Sequence, residues 1–250
     1  ELHSNSVVSN FRTIFANLPS SIQSLSIGDG VTEIGTNSFT NCSNLISVTI
    51  GNTVSIIRGY SFKNTTLIEV EIGENVETIG EAAFSTSTNL KNVTVPASVT
   101  SIEDWAFDNG GLESITILGS VQFGKNVFND DKKLNTINLF GNEVNFGNHV
   151  FNGASSLTTV NLLGNEVTFG SEVFKGCTSI TSVGFGSKNV VNAFNSAYTN
   201  KASITSVTLS ETVKGNEFQE SAFFSYTNLA SVELHSNSVV SNFRTIFANL

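Results

Sequence analysis

One spacing constrains this chain more than any other property. An aromatic residue returns every 21 to 25 positions, at Phe15, Phe39, Phe62, Phe84, Phe107, Phe128, Phe151, Phe174, Tyr198, Phe223 and Phe247. The ten intervals span 232 residues. A period of this length belongs with repeats of about 20–29 residues and is too short for helical-pair repeats, which need more than about thirty. Each copy is one short coil that cannot bury its apolar side alone, so the copies must stack.

Within each copy the aromatic is followed five to seven residues later by Leu or Ile, then by an alternating segment. Ser47-Val48-Thr49-Ile50 is one such segment, and Val70 with Ile72, Val93 with Val95, Ile115 with Ile117 and Ile137 with Leu139 repeat it. Period-two alternation marks a strand that buries one face. Val48, Val70, Val93, Ile115, Ile137, Val160, Val183 and Val207 are therefore expected in register in one continuous parallel sheet. Before each anchor, pieces such as Ile79-Gly80-Glu81-Ala82-Ala83-Phe84 space their apolar residues as one tight helical turn would. A second short strand, as at Val76 to Ile79 and Val99 to Ile102, forms the opposite wall. At about 4.8 Å per strand, ten coils rise about 48 Å, with the anchors in one buried, stacked column. The expectation is a single repeat solenoid over residues 1–250, with a parallel sheet on one side and short helical turns and second short strands on the other.

The run Ile34-Gly35-x-x-Ser38-Phe39-x-x-Cys42-x-x-Leu45-x-x-Val48-x-Ile50 resembles the repeat of BspA-like leucine-rich-repeat proteins, and Phe174-Lys175-Gly176-Cys177 repeats its middle. The resemblance covers essentially the whole chain. It implies a surface or secreted protein of bacteria or unicellular eukaryotes, used in adhesion or in binding host or matrix macromolecules. Coils from Phe123 to Phe174 carry Phe-Gly in place of Ile-Gly, and the Tyr198 coil is irregular.

Candidate chemistry is sparse. Cys42 and Cys177 sit three residues after their anchors, six coils apart, too far to bond and best read as small core thiols. His3, His149 and His235 form no metal-ligand spacing. Asp130-Asp131 lacks the alternating ligands of a calcium loop and reads as a solvated turn. No nucleophile elbow or phosphate loop appears. Asn41, Asn64 and Asn92 begin N-glycosylation sequons. A turn column tolerating left-handed backbone also accounts for Asn41 and Asn64, along with Asn17, Asn109 and Asn200. The expectation is no enzyme, cofactor or bound metal. A formal charge of −9 argues against nucleic acid, and no apolar stretch is long enough to insert in a membrane as a helix. The outward strand columns, such as Ser24, Ser47, Glu69 and Asn92, carry no Trp, Tyr or Arg anchor and read as a hydrogen-bonded polar ladder.

One segment breaks this pattern of divergence. Residues 1–18 and 233–250 are identical, an offset of 232 residues or ten whole coils. The chain opens in mid-pattern, so it reads as a window on a continuing stack. The leading expectation is a structural protein whose ten-coil blocks join head to tail with copies of itself into an extracellular filament or surface fibre. The alternative is a surface adhesin or receptor domain binding a host or matrix protein or a glycan.

Overall fold

A computed structural model describes residues 22–28, 30–210 and 222–235; the anchors Phe15 and Phe247 lie outside them. The described residues form a leucine-rich-repeat solenoid of about nine turns. Each regular coil supplies a strand to one wall, a strand of two to four residues to a second wall, and a run of turns between them.

The first wall holds β1 (Ser24–Ile27), β3 (Ser47–Ile50), β5 (Glu69–Glu71), β7 (Asn92–Val95), β9 (Ser114–Ile117), β11 (Thr136–Leu139), β13 (Thr159–Leu162), β15 (Ser182–Phe185), β16 (Ser206–Leu209) and β17 (Ser231–Leu234). The second holds β2 (Glu33–Ile34), β4 (Ile56–Ile57), β6 (Thr78–Ile79), β8 (Ser101–Ile102), β10 (Val121–Phe123), β12 (Glu143–Phe146) and β14 (Glu166–Phe169). All pairings are parallel, and successive inward residues meet, as in Ile115↔Ile137 and Ile57↔Ile79. The alternating pattern is the cause, since a one-residue slip would turn every apolar side chain to solvent.

The first wall is not the continuous sheet expected from the sequence. It divides into β1-β3-β5 and a seven-stranded sheet from β7 to β17, with no pairing between β5 and β7. Pro96 supplies the reason. Its counterparts Leu118, Phe140 and Leu163 each donate their N–H to the strand-end carbonyl of the preceding coil, at 2.8–3.1 Å. Proline has no N–H to give, so the bond that would clamp this coil to Ile72 cannot form. The preceding coil is also one residue shorter between its anchor Phe62 and Leu67 than between Phe39 and Leu45.

The expected helical turns take the form of successive i→i−3 bonds, for example Ser38 N–H to Gly35 O and Thr40 N–H to Asn37 O. The alternate amides cross to the next coil: Asn37, Phe39 and Asn41 donate to Gly59, Ser61 and Lys63. A third ladder therefore runs along the stack. To alternate in this way, the residues two before and two after the anchor adopt left-handed backbone. Asn37 and Asn41 have φ of 58° and 62°, Tyr60 and Asn64 60° and 56°, and Trp105 and Asn109 56° and 50°. Asn accepts this region readily and bulky side chains do not.

The irregular coil contains an α-helix, α1 (Lys188–Ala197), capped by Ser187 Oγ accepting from Val190 N–H. Its buried face presents Val190, Val191 and Phe194. Asn189 donates to Glu166 of β14 at 2.6 Å, so α1 lies along the edge strand of the second wall and covers it.

Candidate functional site

The core of the stack is aromatic. Phe39, Phe62, Phe84, Phe107, Phe128, Phe151 and Phe174 are buried and stack face to face, with centroids 5.1–5.8 Å apart and planes within 12°. A second column, Phe123-Phe146-Phe169, stacks at 5.0 and 5.1 Å. Its rings meet the first column at steep angles, such as 65° for Phe146 against Phe151. Offset and edge contacts of this kind are worth about 0.5–1.5 kcal/mol each beyond burial. The regular stack stops at α1, where Tyr198 meets Phe174 edge-on. Beyond it Phe223 is buried against Phe185 and Tyr226.

Outside the core, polar side chains bond from coil to coil. Ser47 donates to Ser24, Ser114 to Asn92, and Asn161 to Asn138. Parts of the polar ladder read from the sequence are thus bonded within the fold. Of the candidate sequons, exposed Asn41 accepts from exposed Asn64 at 2.8 Å, and Asn92 accepts from Ser114 within the first wall. The left-handed Asn column holds at Asn41, Asn64 and Asn109. It fails at Asn200, whose φ is −86°, because α1 reroutes that coil; Asn17 lies outside the described residues.

Cys42 and Cys177 are buried thiols that form no disulfide. Cys177 donates to Phe151 O at 3.1 Å, and burial pushes its thiol up to about 12, the setting of an inert core thiol rather than a nucleophile. His149 pairs with Glu172 at 3.4 Å on the surface. Among the described residues no three His, Cys, Asp or Glu side chains gather to hold a metal, and no helix is long and apolar enough to cross a membrane.

Asp131 corrects the sequence reading. The Asp130-Asp131 turn is not wholly solvated: Asp131 has no exposed surface, and neither carboxyl oxygen has a hydrogen bond of good geometry. Burial raises its pKa to about 8, with partial relief from the Leu112 backbone. Asp131 sits three residues after its anchor, in the buried column of Cys42, Thr65, Ser87, Ala154 and Cys177. Following that column through the sequence would have found it.

Several open concavities interrupt the surface of the described residues. One, of about 400 Å³, lies where β5 and β7 part, lined by Val70, Glu71, Glu74, Asn92, Thr94, Pro96 and Leu118. Beside it Leu118 and Phe140 stand 44% and 50% exposed, an apolar edge invisible in single copies of the repeat. Amides, carboxylates and apolar side chains suit recognition; no His, Cys or Lys lines this cleft. A second concavity, of about 470 Å³, lies against Trp105.

The sequence matches the family described as BspA type leucine rich repeat region, with six copies, over residues 11–135 and 121–249. A leucine-rich repeat protein from Bacteroides ovatus ATCC 8483 is similar over 86% of this chain and 70% of its own, at 18% identity and a TM-score of 0.50. Another, from Eubacterium ventriosum ATCC 27560, is similar over 88% and 74%, at 16% identity and a TM-score of 0.46. A leucine rich cell surface protein from Faecalibacterium prausnitzii A2-165 is similar over 89% and 82%, at 21% identity and a TM-score of 0.38. At 18% identity the likeness to the Bacteroides ovatus protein speaks to fold alone. No curated protein gives a significant match.

Proposed function

Since the chain belongs to the BspA-type leucine-rich repeat family, we propose that it is a non-enzymatic structural protein of the cell surface or extracellular space, whose ten-coil blocks continue head to tail as a filament or fibre. Its partners in that role are further copies of the same block. The observation that carries this reading is the exact duplication of residues 1–18 at 233–250, joined to a fold in which the strand pairings from coil to coil are all parallel. A head-to-tail contact between blocks that does not close makes filaments. The surface location follows the family resemblance, and the polar, low-charge exterior suits it.

Negative-stain electron microscopy of the native material tests the proposal, paired with mass measurement in denaturant. Rods with an axial repeat of about 48 Å per block and chains heavier than 26.7 kDa are expected for covalent continuation. Rods that dissolve to 26.7 kDa chains indicate non-covalent stacking. Discrete particles of one capped chain sink both forms.

The adhesin reading is favoured by one observation, the exposed edge of Leu118 and Phe140 beside the cleft at Pro96. Loss of binding to a host or matrix protein or glycan on Phe140→Ser would support that reading over the fibre.

A further inference from the structure

The concavity against Trp105 has a different character from the rest of the surface. Trp105 is the one tryptophan of the sequence and stands 39% exposed on the run of turns, away from the outward strand columns. Its left-handed backbone is a property of the column it shares with Asn37, Tyr60 and Ala82. Its exposure comes from its neighbours. Ala82, the preceding residue of that column, is too small to cover the indole. Glu103 occupies a position that is Gly80 and Gly124 in the adjacent coils, so the floor on either side carries no side chain. Close packing enforces that bareness: a Cβ on Gly124 would lie 2.5 Å from the Asp104 backbone nitrogen, and one on Gly80 2.6 Å from that of Gly59.

Three carboxylates surround the indole, those of Glu81, Glu103 and Asp104, and no Lys or Arg side chain lines the space. The fold holds each by one oxygen. The Tyr60 hydroxyl donates to Glu81 Oε1. Glu81 N–H donates to Glu103 Oε2 at 2.9 Å, and Lys125 N–H to Asp104 Oδ1 at 2.6 Å. The groups are thus oriented by two backbone amides and the Tyr60 hydroxyl before any ligand arrives, and preorganised acceptors bind at lower entropic cost. An aromatic face ringed by oriented carboxylates is complementary to a planar cation. A guanidinium stacks on indole while donating in a fork to a carboxylate, which neither a neutral sugar nor an anion can do.

We propose that this pocket is a docking site for an arginine side chain of a basic protein partner, with Trp105 as the stacking platform and Glu81, Glu103 and Asp104 as the acceptors. The site requires neither filament formation nor the edge at Phe140, and it stands or falls separately from both.

Because the sequence has a single tryptophan, its intrinsic fluorescence reports on this pocket alone. The full chain is titrated at low ionic strength with N-acetylarginine amide and, in parallel, with the citrulline analogue of the same shape and no charge. A saturable change with the arginine probe and none with citrulline is expected. Binding should weaken at high salt, and Glu103→Gln, which keeps an acceptor for Glu81 N–H, should weaken it about two- to fivefold, the worth of a partly exposed ion pair. Far-UV circular dichroism checks that the variant keeps the fold, and the citrulline comparison needs no variant at all. Equal response to arginine and citrulline, no saturable response, or a response to galactose in place of arginine would each overturn the proposal.

Discussion

The carboxyl group of Asp131 is aimed at Gly110: a Cβ on that glycine would stand 3.4 and 3.5 Å from its two oxygens. A side chain there would press on a group that already lacks good hydrogen bonds. Burial is the largest cause of its raised pKa, about 8 against 3.8. Folding therefore favours the protonated acid. Between pH 4 and 8 the folded chain keeps a proton that the unfolded chain gives up, so stability falls as pH rises, by at most about 1.4 kcal/mol per pH unit. Urea denaturation across this window should show the decline, and Asp131→Asn should flatten it. A parent curve as flat as that of the variant would mean that the carboxyl is hydrated.

Phe107 lies between Phe84 and Phe128, with centroids 5.3 and 5.4 Å away and planes within 10°. Its neighbours are held by ladders on three sides and cannot collapse into a cavity. Phe107→Ala should cost about 3–5 kcal/mol, read as a lower urea midpoint. A loss below about 1 kcal/mol would mean that the stack relaxes along its axis.

Thr86 occupies the left-handed position, φ 58°, that is asparagine at Asn41, Asn64 and Asn109. A β-branched side chain is poorly suited to it. Thr86→Asn should raise stability by about 1 kcal/mol, the scale of that mismatch. Thermal unfolding checks the sign, and a lower midpoint would show that the Thr86 hydroxyl bond to Ser85 O, 2.7 Å, outweighs the strain.

The parting of β5 and β7 leaves Asn92 and Thr94 without the ladder partners that Thr136 and Asn138 have in β9. Amide exchange at Asn92 and Thr94 should be at least about tenfold faster than at Thr136 and Asn138, because protection follows local pairing. Equal protection would place a closed sheet across Pro96.

What the sequence made legible is what repeats. Phe39, Val48 and Ile57 each recur at one period, and recurrence identifies the inward face without knowledge of any contact. The structure departs from that reading at single substitutions within a column. Asp131 reads as a turn residue beside Asp130 and becomes buried only through Gly110 and Ala154 in the coils on either side. Pro96 removes one N–H, whose importance appears when Leu118 and Phe140 are seen donating theirs. Trp105 is conspicuous in composition, yet its exposure depends on Ala82 and on glycines about twenty residues away. The helix α1 did have local signals, Ser187 before Val190, Val191 and Phe194, but the irregular spacing around Tyr198 masked them.

The gap at Pro96 interrupts one ladder only. Across the same two coils β6 still pairs with β8, and Ala82, Phe84 and Thr86 still donate to Asp104, Ala106 and Asp108. Two intact sides and one open side leave this point softer to bending that opens the first wall than the fully laddered coils on either side. A load that bends the stack away from its first wall widens the mouth between Glu71 and Thr94 before it breaks a single backbone bond there.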